Sequence, residues 1–200
     1  MNKISEKRPF LTSFHGGVCV LLLAFSPILL AEYEDGVNAA FNGDFDTALH
    51  EFTIAAEQGL DLAQYNLAIL YFTGRGVEKN VGLAFKWTEA AALQGHVAAQ
   101  FNLGSLYYAG NGTTIDRDKA VEMFGKAAKA GHANAAFLLA NMFSEGDHVN
   151  KDPVQAHAWA SMAISNKNEE AISLRKDLEK HMSSEQLNQA RRLFARWQIE

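Results

Sequence analysis

The sequence predicts an all-α protein, a right-handed α-solenoid of helix-turn-helix repeats that ends in a capping pair of helices. Three observations support this fold class. Residues 61–96 align with 97–132 without a gap and are identical at 13 positions, and self-similarity at such a period is typical of stacked repeats. Hydrophobic residues make up 48% of the chain and charged residues 20%, which indicates a globular protein. Within each unit the apolar residues recur at helical spacing.

The beginning of the chain differs in kind from the repeats. Lys3, Lys7 and Arg8 precede the run VCVLLLAFSPILLA (18–31), which is almost wholly apolar. That run is short for a membrane span, and it ends in small Ala31, as signal peptides do. We therefore predict a secretory signal peptide over 1–31, with an uncleaved anchor as the alternative.

Cleavage after Ala31 would have two consequences. The mature chain would start at Glu32 in the periplasm or outside the cell, with no stable membrane insertion. It would also lose Cys19, the one cysteine of the sequence, so that disulfides could not stabilise it even in an oxidising compartment.

The repeat register extends on both sides of the two most similar units. We predict four repeats, each with a first helix (helix A), a loop and a second helix (helix B). Their bounds are 33–60, 61–96, 97–132 and 133–168, and the tail, 169–200, forms the C-terminal helical cap.

Polar residues recur at the predicted start of each helix B, four residues before an alanine. They are Asp44, Asn80, Asp116 and Asp152. Such side chains accept a hydrogen bond from an otherwise unpaired N–H of the first turn, so we predict an N-cap at each position. Pro153 follows Asp152 at the first-turn position that proline tolerates best.

The predicted end of helix B is also repeated. Gly59, Gly95 and Gly131 stand 36 residues apart, where glycine can adopt the left-handed conformation that ends a helix. His96 and His132 follow two of these glycines, and their repeated position predicts a structural role rather than a metal-ligand role. In the fourth repeat Lys167 replaces the glycine.

The tail leaves the repeat pattern. Ser183 and Gln186 form a capping box, and the predicted helix after them carries Leu187, Ala190, Phe194 and Trp197 on one stripe. We predict two helices that cover the apolar end of the stack, and a dock for a partner is the alternative.

Several motifs give a family resemblance. The stretches AQYNLAILYFTGRGV, AFKWTEAAALQGH and AQFNLGSLYYAGNG resemble the Sel-one-like repeat, a subfamily of tetratricopeptide-type helix pairs. The resemblance covers about 33–168 and is strongest over 61–132. It implies a helical solenoid whose helix A lines the concave side, and a role in holding other proteins.

On that basis, a second apolar stripe of helix A predicts a partner-binding surface. Aromatic residues give large contact area at low entropic cost, and carboxamides can pair with a peptide backbone. The candidate residues are Tyr65, Asn66, Ile69, Phe72, Phe101, Asn102, Tyr108, Phe137 and Asn141. Alternatively, Tyr65 and Phe101 pack against the preceding repeat. In the same alternative, the side chains of Asn66 and Asn102 brace their own repeat. Phe72 and Tyr108, nearer the loops, are the stronger candidates.

Motifs for other functions are weak. Ser173 and Lys176 fit the S-x-x-K pattern of penicillin-binding enzymes, but the companion S-D-N and K-T-G motifs do not occur. No cofactor fingerprint or metal-ligand spacing is present, and a net charge of −5 argues against nucleic acid. We predict a non-catalytic scaffold of the bacterial cell envelope that binds a protein or peptide. A secreted β-lactam-binding or cell-wall-acting enzyme is the alternative.

Overall fold

The computed structural model describes residues 27–199, a range that holds ten α-helices and no strand. Each of the first nine helices packs mainly against its neighbours in the sequence, as in a solenoid, and the tenth packs against the eighth. The predicted all-α class is confirmed. The helices are α1 (Pro27–Phe41), α2 (Phe45–Glu57), α3 (Asp61–Thr73), α4 (Val81–Leu93), α5 (Val97–Ala109), α6 (Arg117–Lys129), α7 (Ala133–Glu145), α8 (Pro153–Ser165), α9 (Ala171–Glu179) and α10 (Ser184–Trp197).

Four pairs of helices form the repeats. The A helices are α1, α3, α5 and α7, the B helices are α2, α4, α6 and α8, and α9 and α10 follow at the C-terminal end. The predicted N-caps are confirmed on all four B helices: Asp44, Asn80, Asp116 and Asp152 each accept a backbone N–H of the first turn at 2.9–3.1 Å.

Left-handed glycines follow the B helices, as the repeated glycine predicts. The φ angles are 94° at Gly59, 92° at Gly95 and 98° at Gly131. Lys167 has a φ of 71° at the corresponding position after α8. The turn geometry is therefore kept in the fourth repeat although the glycine is not.

The core consists of two clusters of buried residues. One extends from Leu29 to Leu70, over α1–α3. The other extends from Ala91 to Ala171, from the end of α4 through α8 and the start of α9. Alanines supply many of the fully buried positions, which lets the helices approach closely.

The C-terminal pair covers the last repeat. The indole of Trp197 on α10 stacks on that of Trp159 on α8, with ring centroids 4.0 Å apart. Ala190 is fully buried, and the predicted capping box of Ser183 and Gln186 is present at the start of α10. The apolar stripe of α10 thus faces the stack.

The N-terminal end differs from its predicted boundary. The first 26 residues, with the basic start and most of the apolar run of the predicted signal peptide, lie outside the described residues. The remainder, 27–31, is the first part of α1, so the first helix begins before the predicted repeat start at 33. Leu29 is only 4% exposed and belongs to the first core cluster. None of the helices within 27–199 is both long and apolar enough to cross a bilayer.

Candidate functional site

The A helices leave a cavity between α3 and α5, with α4 at its base. It encloses about 250 Å³. Three of the nine predicted partner-binding residues lie around it: Ile69 and Phe72 on α3, and Asn102 on α5. We call it the α3–α5 cavity, and its full lining is Ala68, Ile69, Phe72, Thr88, Asn102, Ser105 and Leu106.

Phe72 forms the rim of this cavity. Its side chain is 41% exposed, and the Lys79 ammonium lies 5.5 Å from the centre of its ring, within range of a cation–π interaction. A large aromatic ring is thus available to solvent at the loop end of α3, as predicted for a residue of a binding surface.

Tyr65 and Phe101 have a packing partner that the sequence pattern did not indicate. Tyr65 stacks on the imidazole of His96, with ring centroids 4.5 Å apart, and Phe101 stacks on His132 at 4.4 Å. Each ring thus contacts the histidine at the end of its own repeat.

The same two histidines cap the next A helix. Nδ1 of His96 accepts the Ala99 N–H at 3.1 Å, and Nδ1 of His132 accepts the Ala135 N–H at 3.2 Å. Burial lowers the pKa of both imidazoles below the usual value, which favours the unprotonated Nδ1 that an acceptor requires. The Gly-His pair therefore ends one helix and starts the next, in agreement with the predicted structural role.

The predicted asparagines differ from one another. Asn66 donates to the Tyr33 hydroxyl at 3.1 Å, so it links α3 to α1 rather than bracing its own repeat. Asn141 donates to the Phe137 carbonyl of its own helix at 3.1 Å. The carboxamide of Asn102 makes no hydrogen bond to another residue of the described range and is free for other contacts.

Tyr108 and Phe137 lie outside the α3–α5 cavity. The Tyr108 hydroxyl donates to the Asp147 carboxylate at 2.8 Å, and that hydrogen bond raises the pKa of Tyr108 above the usual value. The Arg117 guanidinium lies 3.8 Å from the centre of the Tyr108 ring. Phe137 is partly buried and packs against the second core cluster. Tyr108 thus connects the third repeat to the loop after α7.

Four residues of the cavity lining were not among the predicted site residues: Ala68, Thr88, Ser105 and Leu106. A signal for Thr88 was present, because positions 36 residues before and after it are Phe52 and Phe124. A threonine between two phenylalanines at one repeat position indicates lost volume.

The S-x-x-K pair lies on the surface of α9. Ser173 and Lys176 are exposed on α9, and the Ser173 hydroxyl donates to the Glu170 carbonyl at 2.9 Å. Within 27–199, no three His, Cys, Asp or Glu side chains lie close enough to hold a metal ion.

Fold and site together define a class: a helical-repeat solenoid with a small cavity between consecutive A helices. The family follows from residues 61–96, 97–132 and 133–168, each of which matches the Sel1 repeat model. The chain belongs to the Sel1 repeat family. Proteins of this family are generally non-catalytic scaffolds that typically mediate protein–protein contacts.

Two solved structures are similar to this chain. A Sel1 repeat protein from Oxalobacter formigenes is 31% identical, with a TM-score of 0.66 over 70% of this chain and 57% of its own. A protective antigen of uropathogenic Escherichia coli strains, which displays an SLR fold, is 28% identical, with a TM-score of 0.55 over 84% of this chain and 45% of its own. The chain thus spans about half the length of these proteins. Comparison with curated proteins gave no match.

Proposed function

We propose that this protein is exported to the bacterial cell envelope and there holds a peptide or protein segment on its A-helix surface. The proposed binding of a partner is supported by the α3–α5 cavity, where three of the predicted partner-binding residues surround one space of about 250 Å³. Export rests on the basic start and apolar run of residues 1–31.

The cavity has the composition of a binding site. Its lining is mainly apolar, with one carboxamide, Asn102, and an exposed aromatic rim, Phe72. Small-molecule and side-chain sites in proteins combine apolar walls with few polar groups that orient the bound molecule. Aromatic side chains that become buried in pockets supply much of the contact energy in protein interfaces.

Site-specific photocrosslinking tests this function. A benzophenone amino acid replaces Phe72 in the exported protein, and a control protein carries it at Leu93, an exposed residue of α4. We expect a discrete protein adduct, identified by mass spectrometry, from position 72 and not from position 93. Equal adducts from both positions, or none from position 72, would contradict binding on the A-helix surface.

A further inference from the structure

The α3–α5 cavity corresponds to a missing phenyl ring. In the first repeat, Phe52 of α2 packs against Gly36 of α1, and a Cβ atom added to Gly36 would lie 2.8 Å from that ring. In the third repeat, Phe124 of α6 packs in the same way against Gly104 of α5, at 2.7 Å. Cβ atoms in real proteins essentially never lie within 3.0 Å of such a neighbour, so each phenylalanine requires its glycine.

The second repeat has neither member of this pair. Thr88 stands midway between Phe52 and Phe124 in the repeat register, and Ala68 stands 36 residues before Gly104. Both line the α3–α5 cavity. The space that a phenyl ring fills in the first and third repeats is therefore open in the second. The large apolar side chains around it are those of Ile69, Phe72 and Leu106, which can pack against such a ring.

Polar groups in the cavity leave one side chain for a ligand. The Thr88 hydroxyl donates to the Ala84 carbonyl at 2.7 Å, and the Ser105 hydroxyl donates to the Phe101 carbonyl at 3.1 Å. Both hydroxyls are thus directed to their own helices. Asn102 has no such partner within the described range, whereas its counterpart Asn66 is bound to Tyr33. A carboxamide with both donor and acceptor can pair with a peptide group.

Charge at the cavity rim indicates what flanks the inserted side chain. None of the lining residues is charged. The Lys79 ammonium lies over the Phe72 ring and forms no ion pair with any residue of 27–199. At the α5 end, Arg117 lies on Tyr108, whose hydroxyl is bound to Asp147. Lys79 is therefore the cation at the rim that forms no ion pair within the described residues.

We propose that the α3–α5 cavity binds one bulky apolar side chain, best an aromatic ring, of a partner peptide that carries a carboxylate next to it. The ring occupies the place of the absent phenyl group, the Asn102 carboxamide pairs with the peptide backbone, and Lys79 faces the carboxylate. This proposal rests on the proposed function and names the segment that the scaffold holds.

Methyl NMR titration with blocked dipeptides tests the proposal. The probes are N-acetyl-Glu-Phe-amide, N-acetyl-Glu-Ala-amide and N-acetyl-Lys-Phe-amide, and the Ile69 and Leu106 methyl groups are the reporters. We expect saturable shifts with Glu-Phe, binding about tenfold weaker with Glu-Ala, and about threefold weaker with Lys-Phe. If the protein bound Glu-Ala or Lys-Phe as tightly as Glu-Phe, the proposal would be overturned.

A filled variant is available from the chain's own repeats. The double change Ala68→Gly and Thr88→Phe recreates the glycine–phenylalanine pair of the first and third repeats, so it should fold and close the cavity. Thr53→Val, at a partly buried threonine of α2 outside the cavity whose hydroxyl also donates to its own helix, serves as the control. We expect Glu-Phe binding to fall by at least about tenfold in the double variant and to be unchanged in the control. Unchanged binding in the double variant would overturn the proposal.

Two single changes keep the test decisive if the double variant does not fold. Asn102→Ala at the cavity should weaken Glu-Phe binding about fivefold, and wild-type affinity in this variant would overturn the proposal. Lys79→Gln should abolish the preference for Glu-Phe over Lys-Phe. If this variant keeps the preference, the proposal is overturned. Adducts from position 72 in the double variant would show that the scaffold binds a partner without this cavity, which separates the two proposals.

Discussion

At Lys167 the fold imposes a glycine conformation on a residue with a side chain. Its φ of 71° lies in the left-handed region, where a Cβ atom is unfavourable by roughly 1 kcal/mol. Gly59, Gly95 and Gly131 avoid this cost at the corresponding positions, and a Cβ atom there would meet no neighbour within 4 Å. The requirement for glycine in these turns is therefore one of backbone conformation alone.

Lys167→Gly should stabilise the protein, because it removes the left-handed Cβ without loss of a buried contact. We expect a gain of about 0.5–1 kcal/mol in the free energy of unfolding, measured by urea denaturation.

Gly95→Val makes the opposite change and should lower the free energy of unfolding by about 1–3 kcal/mol. A Gly95→Val protein as stable as the wild type would show that these turns tolerate a β-branched residue.

The capping histidines should make stability depend on pH. Burial lowers the pKa of His96 and His132 in the folded protein, whereas an unfolded histidine titrates near about 6.5. Their stabilising contribution is therefore complete above the unfolded pKa and is lost as the pH falls through the folded pKa values. We expect the melting temperature to fall between about pH 7 and about pH 5.

Replacement by asparagine separates the cap from the titration. The double variant His96→Asn and His132→Asn keeps an N-cap acceptor but has no imidazole at either site. Its melting temperature should fall less over the same pH range, although it loses the stacking on Tyr65 and Phe101. His157, whose pKa burial also lowers, stays in both proteins and supplies the remaining dependence. Identical pH profiles would assign the acid sensitivity to groups other than the caps.

At the scale of elements, α10 acts as the end cap of the stack. The stacked indoles of Trp159 and Trp197 join it to α8, and Phe194 packs against the second core cluster. Trp197→Ala should therefore lower the free energy of unfolding by about 2–4 kcal/mol. Arg192→Ala, at an exposed position of the same helix, is the control and should have little effect. Unchanged stability in Trp197→Ala would favour the predicted alternative, a dock for a partner.

The helix boundaries could be predicted because their signals are local. Asp116 caps the N–H of Lys119, three residues away, and Gly131 ends α6 through its own φ angle. The partner of Tyr65 could not be predicted in the same way, because His96 is distant in sequence and its contact depends on how two helices pack. The cavity is harder still, since it results from the volume that Thr88 lacks. Ile69 and Phe72 could be predicted because helical spacing places them on one stripe of α3, and Asn102 because it lies beside the corresponding stripe of α5.

In the whole molecule, the two core clusters divide the solenoid near the α3–α5 cavity. The first cluster ends at Leu70 and the second begins at Ala91, and polar Thr88 lies between them. Repeat proteins are stabilised mainly by contacts between neighbouring units, so two buried cores that do not merge can open separately. Regions with fewer buried contacts open at lower free energy. We therefore expect α1–α3 to open separately from α5–α8, and the free energy of this opening, measured by amide hydrogen exchange, to be lower than that of α5–α8.

Leu67→Ala tests this division of the molecule. Leu67 is 1% exposed in the first cluster, and its truncation should lower the opening free energy of α1–α3 by about 2–3 kcal/mol in native-state hydrogen exchange. The amides of α5–α8 should keep their protection, because their contacts lie in the second cluster. Leu139→Ala is the matched control, since Leu139 is fully buried in that second cluster and its truncation should lower protection in α5–α8. Equal loss of protection along the whole chain after Leu67→Ala would instead show one cooperative unit, in which the open cavity does not separate the two cores.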